Sequence, residues 1–228
     1  MNKHSSVSAL IAAAGNSTRM GGSNKQFLIF DGKPVLAHTL LAFATMWEVT
    51  ELVIVTRKED IPMVENLIRD FSIPKVKALV SGGDTRQTSV FAGLGHITGD
   101  LVLIHDGARP LVQQDEIRQL IEVLDSCPAA ALGVPVKDTV KRVAGDGLVT
   151  ETLPREELWQ IQTPQGFRTK EILAAHQMAA EQGVSVTDDC ALAEYIKIPV
   201  RIVPGSYRNI KITTPEDIPL AEAYARHN

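Results

Sequence analysis

Residues Ser8–Met20 read Ser-Ala-Leu-Ile-Ala-Ala-Ala-Gly-Asn-Ser-Thr-Arg-Met, an apolar run that stops in small residues and passes into a polar loop. A continuous apolar run of this kind is typical of a central parallel strand buried on both faces. In open α/β sheets, ligands bind at the carboxyl ends of such strands. The small side chains would let a base or phosphate approach the backbone, and Arg19 and Lys25 add two cations. The stretch predicts a nucleotide triphosphate loop; the alternative is a small-residue turn with two solvated cations.

Strand and helix patterns alternate on either side of the loop. The predicted strands are 7–12, 51–56, 76–81, 101–104, 129–136, 200–203 and 210–212. The predicted helices are 34–47, 61–71, 86–96, 115–126, 169–182 and 188–196, with a last helix that opens at Thr214-Pro215. This βαβα alternation predicts an α/β fold with a doubly wound, mostly parallel, Rossmann-like sheet.

The alternation breaks at Asp138. Residues 139–143 and 148–153 each alternate polar and apolar side chains, and the turn between them contains Asp146-Gly147. Asp-Gly between two such runs is a strong β-hairpin signal. Because an isolated two-stranded ribbon is marginal in water, it must lie on its own domain or on another subunit. Residues 137–158 are therefore predicted to form a β-arm within a single domain, 1–228, and the pattern leaves open which of the two surfaces the arm lies on.

Composition narrows the function classes. A chain of 228 residues is long enough for one well-buried α/β domain. Its 23 basic and 27 acidic side chains give a net charge of −4, so it has no overall basic field for nucleic acid. No apolar run approaches the roughly 20 residues of a membrane helix. Cys127 and Cys190 are far apart in sequence, which favours a reducing compartment. We expect a cytoplasmic protein that binds neither nucleic acid nor membranes.

A candidate metal ligand follows the apolar run 101–105. Asp106 comes directly after this strand, and Arg109 lies three residues further on. A carboxylate at a strand end suits Mg²⁺, which proteins usually hold with one or two carboxylates plus substrate phosphates. A turn aspartate paired with an arginine is the alternative interpretation.

Another strand end carries a similar pattern. Gly82-Gly83-Asp84 precedes hydroxyl side chains and Arg86 at the start of a helix. Such a turn can present backbone groups to a base and a helix amino terminus to a phosphate, although an ordinary capped helix start would look the same. Lys211, between two isoleucines, and Arg155, after the hairpin, are further cations whose direction the spacing does not decide.

Other catalytic classes fit the sequence less well. The six histidines show no zinc-ligand spacing, and a G-x-S-x-G nucleophile elbow is missing. A nicotinamide dehydrogenase is a competitor, but Gly15 lacks the G-x-G-x-x-G spacing. Arg57 also follows the second strand, where a ribose-binding acid would be expected. A non-catalytic nucleotide-sensing module is a further alternative.

Six motifs occur in order between Ile11 and Asp217. They are Ala-Ala-Gly-x-x-x-Arg-Met, Asn-Lys-Gln-Phe-Leu, Gly-Gly-x-x-Arg-x-x-Ser-Val, His-Asp-Gly-Ala-Arg-Pro, Thr-Pro-Gln and Asn-Ile-Lys-Ile-Thr-x-Pro-Glu-Asp. Each motif is weak alone, but the ordered set resembles the 2-C-methyl-D-erythritol 4-phosphate cytidylyltransferases. These are CTP-dependent transferases of isoprene biosynthesis by the non-mevalonate pathway. The resemblance implies a nucleotidyltransferase sheet with a protruding β-arm, Mg²⁺ or another divalent cation, and a homodimer formed through that arm.

The resemblance also implies roles for individual residues. Nucleotide-binding positions are Ala13, Ala14, Gly15, Gly83, Asp84, Ser89 and Asp106. Catalytic positions, which hold the triphosphate and the reacting phosphates, are Arg19, Lys25 and Lys211. Positions that bind methylerythritol phosphate are Arg109, Thr139, Arg155, Thr163 and Thr187, with Thr139 and Arg155 reaching across the dimer. Asp106 is also the expected metal ligand.

The sequence departs from the family pattern at a few positions. Ala12 stands where many members have Pro, 16–18 replace a more Gly-rich loop, and Gly107 replaces a common Ala. The implied reaction is transfer of CMP from CTP to methylerythritol phosphate with release of pyrophosphate. A cytidylyltransferase acting on ribitol 5-phosphate is the alternative within the same fold.

Overall fold

The computed structural model describes residues 5–15 and 25–226. Its strands are β1 (Val7–Ala12), β2 (Ile29–Phe30), β3 (Lys33–Pro34), β4 (Val49–Thr56), β5 (Val76–Ser81), β6 (Leu101–Asp106), β7 (Ala129–Pro135), β8 (Lys141–Val143), β9 (Val149–Thr152), β10 (Trp159–Arg168) and β11 (Val200–Pro204). Its α-helices are α1 (Val35–Ala44), α2 (Ile61–Asp70), α3 (Arg86–Leu94), α4 (Gln114–Leu124), α5 (Thr169–Gln182), α6 (Asp189–Tyr195) and α7 (Asp217–Ala225).

Seven strands form the main sheet, in the order β11-β7-β10-β6-β1-β4-β5. Every pairing in it is parallel except those of β10, which runs antiparallel to both β6 and β7. Strand β1 lies between β4 and β6, and Ala12 at its end is in register with Val55 and Asp106. The carboxyl ends of three strands therefore lie side by side.

Helices cover both faces of the sheet. Successive residues of β1 face opposite sides, as the alternation of a strand requires. Ile11 belongs to the core formed with α1 and α4, whereas Leu10 belongs to the core formed with α3, α5 and α6. Because both faces are buried, β1 is apolar except at Ser8, whose hydroxyl donates to Oε1 of Glu51 at 2.7 Å. The predicted doubly wound, mostly parallel α/β sheet is confirmed.

The hairpin of the β-arm is present. Strands β8 and β9 form an antiparallel pair separate from the main sheet, and every residue from 141 to 152 is exposed. The prediction of a hairpin around Asp146-Gly147 is confirmed, with strands shorter than predicted.

Strand β10 was not predicted, because Pro164 and Gly166 interrupt its sequence and both residues weaken a strand pattern. The structure accommodates Pro164 at an irregularity, where the register with β7 shifts between Ile161 and Gln165, whereas Gly166 pairs regularly with Ala130 and Leu103. The predicted strand 210–212 is wrong: this segment is irregular and is joined to the loop after β6 by the bond from Ile212 N to Ala108 O.

The last helix begins at Asp217 rather than at Pro215. The Asp217 carboxylate accepts the backbone N–H groups of Thr213 and Thr214 and so fixes the segment before the helix. In the part of the chain that the structure describes, no helix is both long and apolar enough to cross a lipid bilayer.

Candidate active site

A cleft of about 520 Å³ opens at the carboxyl ends of β1, β4, β5 and β6. Its walls come from the ends of these strands and from the loops that follow them, including Gly15, Gly82 and Asp106. Lys25 and Lys211 enter the same cleft from distant parts of the chain. The strand order therefore brings together residues that are nearly 190 positions apart in sequence.

The turn after β5 needs its glycines because it packs closely against its neighbours. A Cβ atom at Gly82 would lie 2.4 Å from the Cβ of Ala14, and one at Gly83 would lie 2.5 Å from Oγ1 of Thr88. The Ser89 hydroxyl accepts the N–H of Gly83, which fixes the turn against α3. Small residues on both sides leave a flat, backbone-lined wall that a base could approach.

Three cations surround the Asp106 carboxylate. The Nζ of Lys211 lies 2.8 Å from Oδ2, the Nε of Arg86 lies 3.3 Å from Oδ1, and the Nε of Arg109 lies 3.6 Å from Oδ2. Burial acts to raise the pKa of Asp106, but the charges of Lys211, Arg86 and Arg109 outweigh it and hold the pKa well below its usual range. Asp106 is therefore ionised at neutral pH.

The backbone of Asp106 is held by a directed chain of hydrogen bonds. The Asp106 N–H donates to Oγ1 of Thr163, which lies 3.0 Å from Nδ1 of His105. The Nε2 of His105 lies 3.0 Å from the carbonyl oxygen of Arg109. A carbonyl only accepts, so Nε2 carries the proton of the neutral ring and the Thr163 hydroxyl donates to Nδ1. Burial lowers the pKa of His105 to about 4, which keeps the ring neutral.

The structure brings most of the predicted nucleotide-binding and catalytic residues into the cleft. Those that line it are Ala14, Gly15, Lys25, Gly83, Asp84, Ser89, Asp106 and Lys211. Ala13 does not line it; this residue is buried in the core beneath, and its N–H donates to Val55 O. Arg19 lies outside the described residues. The structure shows that these residues lie close together, and the role of each one stays a prediction.

The residues predicted to bind the second substrate are more dispersed. Arg109 lies beside Asp106 and donates to Asn209 O at 2.7 Å. Thr163 is buried behind Asp106, whereas Thr187 is exposed on the loop before α6. Thr139 and Arg155 are exposed on the β-arm, where Arg155 donates to Lys137 O. Their assignment to methylerythritol phosphate also stays a prediction.

Among the cleft residues that were not predicted site residues, Arg86 is the one that pairs with Asp106. Arg86 lines the cleft, where it contacts Asp106, and it also pairs with the buried Asp189 at 2.7 Å. Its position in the first helical turn after the Gly-Gly-Asp motif is a sequence signal that could have predicted Arg86 as a site residue. Asp189 gave none, because it lies 103 residues away and only the packing of α6 against the sheet brings it close.

The described residues do not form a metal site by themselves. Within 5–15 and 25–226, no group of three or more histidine, cysteine or carboxylate side chains is arranged to hold a metal ion. Asp106 supplies one ionised carboxylate at the cleft. That donor set fits Mg²⁺ that takes its other ligands from substrate phosphates and water.

A doubly wound sheet with a glycine turn and a group of cations at its carboxyl edge is typical of the α/β nucleotide-binding proteins. The model of the family 2-C-methyl-D-erythritol 4-phosphate cytidylyltransferase matches residues 7–227. The chain belongs to this family.

Relatives and solved structures agree with the family model. A 2-C-methyl-D-erythritol 4-phosphate cytidylyltransferase of Halalkalibacterium halodurans is 50% identical over 218 residues, which cover 95% of each chain. One of Desulforamulus reducens is 49% identical over 224 residues, which cover 96% of each chain. The crystal structure of 4-diphosphocytidyl-2C-methyl-D-erythritol synthase from Anaerococcus prevotii has a TM-score of 0.88 at 34% identity and covers 98% of this chain and 97% of that one.

Proposed function

We propose that this protein transfers CMP from CTP to 2-C-methyl-D-erythritol 4-phosphate, giving 4-diphosphocytidyl-2-C-methyl-D-erythritol and pyrophosphate. Family membership supports the reaction. The observation that carries it in the structure is that Lys25, Lys211 and the ionised Asp106 line one cleft next to the Gly82-Gly83 turn. The family match favours this activity over a ribitol phosphate transferase, a dehydrogenase or a nucleotide sensor.

The chemistry needs positioning and charge more than a general base. The attacking group is a phosphate monoester, which is already largely dianionic at neutral pH. One of its oxygens forms a bond to the α-phosphorus of CTP, while the bond from that phosphorus to the bridging oxygen breaks and its electrons leave on pyrophosphate. The obstacle is the approach of two anions, so electrostatic stabilisation dominates.

Lys25 and Lys211 are the cleft residues suited to that task. Both lie in the cleft, and Lys211 is held by Asp106 at 2.8 Å. Asp106 offsets the positive charge of Lys211, and phosphate oxygens would compete with it for Lys211. We assign the same task to Arg19, on the strength of the motif alone. Mg²⁺, held by Asp106 and the triphosphate, would neutralise further negative charge when bound.

We assign the second substrate to a site shared between two copies of the chain. Thr139 and Arg155 are both exposed on the β-arm, as residues that reach another subunit must be. The arm also exposes Val143, Leu148 and Val149, with 52%, 67% and 58% of their surfaces accessible. Apolar side chains together on an isolated ribbon indicate a covered surface. We propose a homodimer formed through the β-arm.

We also propose that the enzyme works in the cytoplasm. Cys127 and Cys190 are both buried free thiols, which agrees with a reducing compartment.

The direct test is pyrophosphate release by the purified full-length chain. We expect release with CTP, Mg²⁺ and methylerythritol 4-phosphate, with the cytidyl product identified by mass spectrometry. Ribitol 5-phosphate in place of methylerythritol phosphate separates the two transferase activities, and ATP, GTP and UTP test the base preference. No release with CTP and either polyol phosphate would contradict the proposal.

A further inference from the structure

Arg86, at the start of α3, is shared between two carboxylates. Its Nη1 donates to Oδ2 of Asp189 at 2.7 Å, and its Nε lies 3.3 Å from Oδ1 of Asp106. Asp106 lies at the cleft, whereas Asp189 is buried on α6 and does not line it. The guanidinium therefore links a carboxylate behind the site to the carboxylate within it.

Asp189 is held firmly from the other side. Its Oδ1 lies 3.2 Å from Nε2 of His176 on α5, and its backbone N–H donates to Oε1 of Gln165 at 3.2 Å. Burial acts to raise the pKa of Asp189, but the hydrogen bond with His176 and the charge of Arg86 outweigh it and lower the pKa. A fixed negative charge therefore lies behind Arg86.

The sharing fixes how Arg86 approaches Asp106. Nη1 of Arg86 donates to Asp189 at 2.7 Å, while Nε makes one longer contact with Oδ1 of Asp106 and Oδ2 of Asp106 faces Lys211 at 2.8 Å. The charge of Asp189 therefore pulls Arg86 away from Asp106. An arginine fork can bind one carboxylate through two nitrogens. Without the charge of Asp189 the opposing pull is lost, and Arg86 would shift toward Asp106 and compete with Lys211.

The next residue of α3 makes a second link to the same region. The Gln87 amide donates to Val184 O at 3.0 Å and accepts the N–H of Val186 at 3.2 Å. Arg86 and Gln87 thus hold both ends of segment 184–189, in which Thr187 is exposed. Loss of the Arg86–Asp189 pair would remove the contact that ties the carboxyl end of this segment to the start of α3.

We infer that Asp189 is a positioning residue for cytidyl transfer. It acts by fixing Arg86 between the candidate active site and the segment that carries Thr187. The inference deepens the proposed function and rests on it for the reaction. The expected effect of Asp189 on the affinity for CTP does not depend on which polyol phosphate is the acceptor.

The test is a double-mutant cycle with Asp189→Asn, Arg86→Gln and the double variant. Asparagine keeps the shape of Asp189 and removes its charge. If Asp189 acts through Arg86, each single variant should lower kcat/KM at least tenfold, and the double variant should be within threefold of Arg86→Gln. The affinity for CTP, titrated calorimetrically, should weaken in Asp189→Asn. Glu48→Gln is the control, since Glu48 pairs with Arg118 at 2.9 Å outside the cleft; it should keep wild-type kcat/KM.

Every outcome of these measurements either supports or overturns the inference. Wild-type kcat/KM and CTP affinity in folded Asp189→Asn would overturn the inference. So would a double variant whose loss equals the product of the single losses, because that is the behaviour of an independent structural defect.

If Asp189→Asn does not fold by circular dichroism, Arg86→Lys tests the same link, since a lysine cannot bridge both carboxylates. A tenfold loss in folded Arg86→Lys supports the inference and wild-type activity overturns it. If the wild type releases no pyrophosphate, the proposed function fails, and CTP affinity still tests the role of Asp189.

Discussion

The hydroxyl of Thr163 accepts the backbone N–H of Asp106 at 3.0 Å and so holds one side of the end of β6, opposite its pairing with β1. Thr163 is only 4% exposed, and its hydroxyl both accepts from Asp106 and donates to His105. The sequence resemblance assigned Thr163 to the second substrate. The structure gives Thr163 a separate role in positioning, because its hydroxyl orients the backbone of Asp106. The carboxylate of Asp106 is the one that Lys211, Arg86 and Arg109 surround.

Thr163→Val should therefore lower both stability and activity. The substitution keeps the size of the side chain and leaves the buried N–H of Asp106 without an acceptor, which typically costs about 1–3 kcal/mol. Urea unfolding should show this loss in the free energy of unfolding, together with a lower kcat. Thr163→Ser restores the hydroxyl and should recover most of both. An unchanged free energy of unfolding in Thr163→Val would show that the hydrogen bond contributes nothing.

His105 should make stability depend on pH in the acid range. Burial lowers its pKa from 6.5 to about 4, so between these values the unfolded chain binds more protons than the folded one. The free energy of unfolding should fall as the pH drops from about 6.5 to about 4, by roughly 3 kcal/mol in all from this group. His105→Gln, which can still donate to Arg109 O, should flatten this dependence in urea unfolding at pH 7.5, 6 and 5. His96→Gln, at an exposed position, is the control. Equal slopes for the wild type and His105→Gln would contradict the assignment.

The sequence predicts an element of the fold well when the residues of that element alone favour its structure. The bounds of β1 and β5 are those predicted, because each is a run of strand-forming residues with turn residues at its end. Strand β10 escaped prediction because Pro164 opposes a strand locally, and pairing with β6 and β7 overrides it. The strand predicted at 210–212 failed for the opposite reason, since apolar alternation there serves packing against the loop after β6 without a ladder.

The candidate site divides in the same way. Asp106 and the Gly82-Gly83 turn could be placed because parallel strands end at one edge of the sheet. That Lys211 points into the cleft was left open by its spacing, and it is decided by the bond from Ile212 N to Ala108 O and by Asp106 itself. The Arg86–Asp189 pair joins α3 at the cleft to α6 behind it, and no pattern in either segment predicts that contact.

Lys25→Ala should fold normally and lose nearly all activity. At an effective dielectric constant near 20, a unit charge about 4 Å from a developing charge contributes roughly 4 kcal/mol, which corresponds to about a thousandfold in rate. We expect kcat to fall by about 10²–10³-fold, with little change in the free energy of unfolding. Lys170→Ala, on the exposed face of α5, is the matched control and should keep wild-type kcat. Wild-type turnover in Lys25→Ala would remove Lys25 from the mechanism.

A charge on the β-arm should separate the two subunits. Val149 lies on β9 with 58% of its surface exposed, and we place it in the contact between two copies of the chain. Val149→Glu would bury an unpaired carboxylate in that contact, which is costly. Size-exclusion chromatography with light scattering should give a dimer for the wild type and a monomer for Val149→Glu. Met178→Glu, which is exposed on α5, should remain dimeric.

The same variant tests whether the arm completes the site. Thr139 and Arg155 belong to the arm, whereas the predicted nucleotide-binding residues that line the cleft lie at the carboxyl edge of the main sheet. Separation of the subunits should therefore raise KM for methylerythritol phosphate at least tenfold, while calorimetric titration with CTP alone should give wild-type affinity. A wild-type monomer would contradict the dimer. A monomeric Val149→Glu with unchanged KM would show that the arm joins the subunits and contributes nothing to substrate binding.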